Sequence, residues 1–142
     1  MRCLGLDLGS KTLGIAISDR TNFIASVYTT LFFKDENYQS LIEPLRDIIL
    51  KEDIGVLVLG LPKNMNNSLG TRAMITLEFK EILEKEFSLP VVMEDERLTS
   101  VISNNILISA NISRNKRKKK VDGMAAELIL QGYLDKQRKG IN

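Results

Sequence analysis

Leu4-Gly5-Leu6-Asp7-Leu8-Gly9-Ser10-Lys11-Thr12-Leu13-Gly14-Ile15-Ala16-Ile17-Ser18-Asp19 is the stretch whose reading decides the fold. Residues 3–8 and 14–19 have the apolar content of strands. The short glycine-containing connection between them predicts a hairpin. Asp7 interrupts the first apolar run. A carboxylate in a buried strand is costly unless something pairs with it, and a metal ion, a lysine or a bound phosphate network are the usual partners. A turn aspartate accepting backbone hydrogen bonds is the plainer alternative, but such a residue ordinarily follows a strand rather than standing inside its pattern.

Working outward, Ile24 to Phe33 is rich in β-branched and aromatic residues and predicts a third strand in a meander. From Tyr38 to Glu52 the period changes. Leu41, Ile42, Leu45, Ile48 and Ile49 recur at helical spacing, with Pro44 near the first turns, where proline is tolerated. Val56-Leu57-Val58-Leu59-Gly60 is a continuous apolar run, typical of a central strand covered on both faces. Pro62 to Gly70 reads as a loop, Thr71 to Phe87 as a helix, and Val91-Val92-Met93 as a fifth strand running into Glu94-Asp95-Glu96-Arg97. Ser100 to Ile108 predicts a short helix. Val121 to Lys136 predicts a last one, with Val121, Met124, Ala125, Leu128, Ile129 and Gly132 as its apolar stripe. The order βββαβαβαα implies an α/β fold, a mixed sheet with helices on both faces.

With 142 residues, the chain is expected to form a single domain over 1–142. No apolar run approaches the roughly 18 residues of a membrane span. The first strand begins at once, so no signal peptide is expected, and a cytoplasmic location fits. Cys3 is the only cysteine, which excludes an intrachain disulfide, and its place in a strand suggests a small buried hydrophobe. The chain has no histidine. That removes Ser-His-Asp triads, Cys-His dyads and histidine zinc sites. Carboxylates holding Mg²⁺ or Mn²⁺ are then the usual route to hydrolysis.

Asp7 in the first strand, Asp95 and Glu96 at the end of the fifth, and Asp122 at the start of the last predicted helix could converge, because sites in open α/β sheets form at the C-terminal strand ends. Converging carboxylates repel unless cations neutralise them. Two divalent ions would do so and would clamp a phosphodiester. Taken singly, Asp95 could belong to a surface ion pair and Asp122 could serve the helix dipole. Gly123, Ala125 and Ala126 would let the last helix approach the sheet closely. Lys11, Lys63 and Asn64 offer donors for phosphate oxygens at the same edge, although an Asn-rich loop is equally plain turn chemistry. Arg114, Lys116, Arg117, Lys118, Lys119 and Lys120 form a dense basic run just before Asp122, suited to a polyanion. No aromatic residue interleaves with it, so base stacking is not expected there.

Four blocks carry a family resemblance: Asp7 to Ala16, Gly60 to Met65, Asp95 to Ser100, and Val121 to Leu134. In this order they resemble the signature blocks of the YqgF family, also called RuvX, in the RNase H-like superfamily. The resemblance implies an RNase H-like five-stranded sheet of order 3-2-1-4-5 with the first three strands antiparallel. It implies a metal-dependent nuclease with Asp7, Glu96 and Asp122 as catalytic acids and ligands of Mg²⁺ or Mn²⁺, Asp95 being the alternative to Glu96. Lys11, Lys63, Asn64, Arg97, Arg117, Lys118 and Lys120 are the expected substrate-binding residues. The expected partner is nucleic acid, either the 5′ end of pre-16S ribosomal RNA within a ribosome precursor or branched DNA at a Holliday junction. The protein is expected as a monomer or homodimer. Where the family often carries Asp-Gly after the Asn-Met of its loop, this chain has Asn66-Asn67 and so lacks that carboxylate. Two other readings remain: a nucleotide-binding half of the actin and sugar-kinase type, and a non-catalytic RNA-binding assembly factor.

Overall fold

β1, Arg2–Leu8, is the middle strand of a five-stranded sheet in the computed structural model, which describes residues 1–62, 70–95 and 114–138, with backbone alone for 114–122 and 138. β2, Thr12–Ser18, and β3, Ala25–Phe32, follow as an antiparallel meander. β4, Ile54–Leu61, and β5, Val91–Asp95, add in parallel on the other side, so the order is β3-β2-β1-β4-β5. The helices are α1, Ile42–Lys51, α2, Thr71–Phe87, and α3, Arg114–Arg138.

Alternation along β1 separates two cores. Leu4, Leu6 and Leu8 pack with Leu13, Ile15, Leu45, Leu57, Leu59, Phe79 and Leu83, the layer covered by α1 and α2. Cys3 packs on the opposite face with Ala16, Val58, Ala126, Ile129, Leu130 and Leu134, the layer covered by α3. Helices on both faces and the mixed sheet agree with the sequence expectation. Cys3 is a buried free thiol whose pKa is pushed up by burial, as expected of an inert core residue.

Three details differ from the sequence reading. The first helical segment opens with a 3-10 turn, Tyr38–Leu41, and becomes α-helical at Ile42, which puts Pro44 in the first α turn. The basic run is not a leader before the last helix but its first turns, since α3 begins at Arg114. Arginine and lysine are strong helix formers, and no glycine or proline stands between 114 and 122. The apolar stripe of α3 also differs in part: Ala125 and Ile129 are buried as expected, but Leu128 is exposed, and Ala126, Leu130 and Leu134 are buried beside them. The expected helix over Ser100 to Ile108 lies outside the described residues.

Gly5 determines how closely α3 sits. A Cβ there would come within 2.7 Å of Leu130 Cβ and 2.9 Å of the Ala126 carbonyl oxygen. The helix backbone therefore rests on a strand position with no side chain.

Candidate active site

Asp7 is the next-to-last residue of β1 and is half-buried. Gly5 meets α3, and alternation puts Asp7 on that same face. Its neighbours across the sheet are small. In β2 its partner is Gly14, which in turn pairs Thr30 of β3. In β4, Leu59 pairs Leu6, so Gly60 stands one residue on, level with Asp7. Asp7 is thus flanked by two glycines at the C-terminal end of the sheet.

Gly60 pairs Glu94 of β5. Glu94 shares the α3 face, and its Oε2 accepts from Lys136 Nζ at 2.9 Å, which ties α3 to β5. Asp95 pairs Leu61 and so shares the face of Leu59 and Met93, which pack in the α1 and α2 layer. Asp95 is exposed, and its register sets it on the opposite face of the sheet from Asp7.

Leu134 packs with Cys3 in one core, and Leu130 and Ala126 lie over Gly5. As its numbering falls, the helix therefore crosses the sheet, from Gly132 near Glu94 of β5, over Gly5 of β1, to Gly123 against Val27 of β3. Position 122 is one turn beyond Ala126 and adjoins Gly123, where a Cβ would meet Val27 of β3, whose partner Ala16 pairs Gly5. The structure corrects one premise here. Asp122 stands well inside α3 rather than at a helix start, so the bland role of an N-terminal dipole partner does not apply.

Lys11 lies exposed in the β1–β2 turn, where the Gly9 N–H donates to the Thr12 carbonyl at 2.7 Å and the Phe33 N–H donates to the Lys11 carbonyl at 3.0 Å. Lys63, Asn64, Glu96 and Arg97 lie outside the described residues. Arg117, Lys118 and Lys120 are carried on α3, which is described there by its backbone.

The sequence reading missed Arg72. It stands in the first turn of α2, and its Nη2 donates to the Leu8 carbonyl at 2.9 Å, beside Asp7 in the chain. A signal was available, because a cation in the first turn of a helix opposes the macrodipole and calls for another reason to be there. The glycines beside Asp7 were also legible only as strand residues until the register aligned them.

The donor set agrees with a hard divalent cation. Asp7 offers carboxylate oxygens at a strand end with side-chain-free neighbours, and the chain contains no histidine. Among the described residues no group of three potential ligands is assembled.

The chain matches the RuvX family, described as Holliday junction resolvase, over residues 1–136. It belongs to that family. A relative from Geobacillus sp. (strain WCH70), named "Putative pre-16S rRNA nuclease", is 46% identical over 138 residues, covering 97% of this chain and 100% of the relative. One from Staphylococcus saprophyticus with the same name is 49% identical over 135 residues, covering 94% and 95%. Among solved structures, Thermus thermophilus RuvC in complex with a Holliday junction substrate superposes with a TM-score of 0.62 at 10% identity, covering 100% of this chain and 98% of that one. The fowlpox virus resolvase complex with Holliday junction DNA gives 0.62 at 15% identity, covering 96% and 99%. At such identities the likeness shows the fold, which is RNase H-like. Among the described residues no helix is long and apolar enough to cross a membrane.

Proposed function

We propose that this RuvX-family protein is a cytoplasmic, divalent-metal-dependent endonuclease, acting most directly in 5′-end processing of pre-16S ribosomal RNA. The observation that carries the reading is Asp7: a half-buried carboxylate at a C-terminal strand end, between Gly14 and Gly60, on the face that α3 covers. Its relatives' shared name supplies the substrate class.

Asp7, Glu96 and Asp122 would hold Mg²⁺ or Mn²⁺. Glu96 is preferred to Asp95 because Asp95 stands on the opposite face of the sheet from Asp7. The chemistry that a pair of such ions supplies is charge neutralisation at the scissile phosphate and activation of the attacking water. The protein's part is positioning. Arg72 braces the end of β1 through the Leu8 carbonyl and so fixes the strand end from which Asp7 projects. Lys11, Lys63, Asn64, Arg97, Arg117, Lys118 and Lys120 would meet phosphates, and binding would weaken steeply with salt. All of chain 1–142 is read as one nuclease domain, and an RNA-processing role is compatible with a monomer. Cutting two strands of a four-way junction symmetrically would require a homodimer.

The test offers labelled pre-16S 5′-leader RNA and a four-way DNA junction side by side with Mn²⁺ or Mg²⁺, with Asp7→Asn as control. Cleavage of the RNA, abolished in the variant, is the expected result. Cleavage of the junction alone would select the family's resolvase description instead. Salt-sensitive binding with no product at any metal concentration would select the assembly-factor reading.

A further inference from the structure

Phe32 ends β3 and is 67% exposed, while the next residue, Phe33, is buried and packs at a tilt against Tyr38 with ring centroids 5.3 Å apart. The segment is therefore anchored by one aromatic ring and presents the other. The backbone holds it against the β1–β2 turn: Thr12 pairs Phe32, and the Phe33 N–H donates to the Lys11 carbonyl at 3.0 Å. Lys11, Phe32, Phe33, Lys34 and Asp35 line a cavity of about 470 Å³ at this corner. Two ammonium groups face one carboxylate there, so the balance favours an anion.

Register sets the ring on the face of Asp7. Leu8, Leu13 and Leu31 follow one another across three strands and pack in the α1 and α2 layer. Thr30 and Phe32, on either side of Leu31, therefore belong to the opposite face, with Gly14 and Asp7. From Asp7 to Thr30 is two strand spacings, roughly 10 Å, crossed by way of Gly14. Phe32 lies two residues further along β3.

We propose that Phe32 is a stacking platform for an unpaired nucleotide of the substrate strand, with Lys11 and Lys34 meeting its phosphates. An exposed ring flanked by lysines is the arrangement that holds single-stranded nucleic acid without reading its sequence, because every base has a π-face. A base inside a continuous duplex is stacked on its neighbours and cannot lie on the ring. Phe32 thereby makes single-stranded character near the cleaved bond a condition of tight binding. The proposal rests on the nuclease reading for its polymer but not on turnover.

The chain has no tryptophan, so Phe32→Trp introduces a sole reporter. In EDTA, with the intact chain, its fluorescence is expected to be quenched by single-stranded RNA and not by a blunt duplex of the same sequence. A single-stranded DNA arm shows whether the platform distinguishes the sugar. Phe32→Ala is expected to weaken single-strand binding about five- to a hundredfold, the loss of one stacked base, and to leave duplex binding unchanged. Equal affinity of Phe32→Ala and the natural chain for single strands, with no quenching in Phe32→Trp, would overturn the proposal. So would a change in sedimentation of Phe32→Ala with RNA affinity intact, which would make the ring a protein-docking residue. Quenching without cleavage would support stacking while defeating the nuclease. Cleavage without quenching would defeat stacking alone.

Discussion

Asp7 and Asp19 belong to the same β1–β2 hairpin at opposite ends of the sheet, and their surroundings differ. Asp19 follows β2 and is committed to the turn: its Oδ1 accepts from the Phe23 N–H at 2.7 Å and the Ile24 N–H at 3.0 Å, and the Thr21 hydroxyl donates to Oδ2. The hydrogen bond from Ile24, then those from Thr21 and Phe23, hold its carboxyl well below the usual carboxylate range. Around it, the Cys3 N–H donates to Ser18 Oγ, and the Glu52 carboxylate accepts from both Arg2 and Tyr28. Asp7 instead stands inside β1 with a glycine partner in β2, at an end that also displays Lys11, Lys34 and the ring of Phe32. A carboxylate placed just after a strand serves the backbone. One placed within the strand end stands between two glycines on the face that α3 covers.

The largest expected difference between these ends is catalytic. Asp7→Asn should lower cleavage by about a hundredfold or more, since losing even a residue that supports a metal ligand costs 10–100-fold. Asp19→Asn should leave cleavage of the same leader RNA unchanged. Equal losses in the two variants would erase the distinction. Next comes Gly5→Ala, which tests whether α3 must sit closely for the active end to form. Its methyl would press on the Ala126 carbonyl, a backbone atom that cannot rotate away, so urea unfolding should show a loss of about 1–3 kcal/mol. Cleavage should fall with it if α3 brings Asp122 to the site. A smaller effect, about 1 kcal/mol, is expected for Arg72→Gln, which removes a charge-assisted hydrogen bond to the Leu8 carbonyl at a half-buried position.

The smallest effect concerns pH and belongs to the Asp19 end. Its folded pKa lies below the unfolded value of about 3.9, so between the two the unfolded chain binds more protons. The contribution is fully present above about pH 4 and is lost as pH falls below it. Thermal unfolding of the natural chain should therefore drop more steeply below that pH than unfolding of Asp19→Asn. Identical acid slopes would mean that the turn contacts do not persist in solution.

Much of the fold was legible because the periodicities are strong. The alternating hairpin, the continuous run at Val56–Gly60 and the helical spacing at Leu41–Ile49 each appear near the expected place. Where the reading failed, long-range contact had outweighed local pattern. The stripe chosen for α3 followed hydrophobicity and included Leu128. Ala125 and Ile129 of that stripe are buried as expected, but Leu128 is exposed and the row Ala126, Leu130 and Leu134 is buried as well, because Gly5 admits it. The basic run was set outside the helix because of its charge, although lysine and arginine extend helices readily.

By itself the sequence determined the residue types available for chemistry, the succession of strands and helices, and the family. An aspartate in a strand, no histidine and a basic run are facts of composition and order. Which groups share a face was decided only by the tertiary structure. Strand register, accumulated across β3, β2, β1, β4 and β5, put Phe32 with Asp7 and set Asp95 against it. The physical reason is the period of two along a strand: a shift of a single residue moves every side chain to the other face, and only the paired backbones fix that shift.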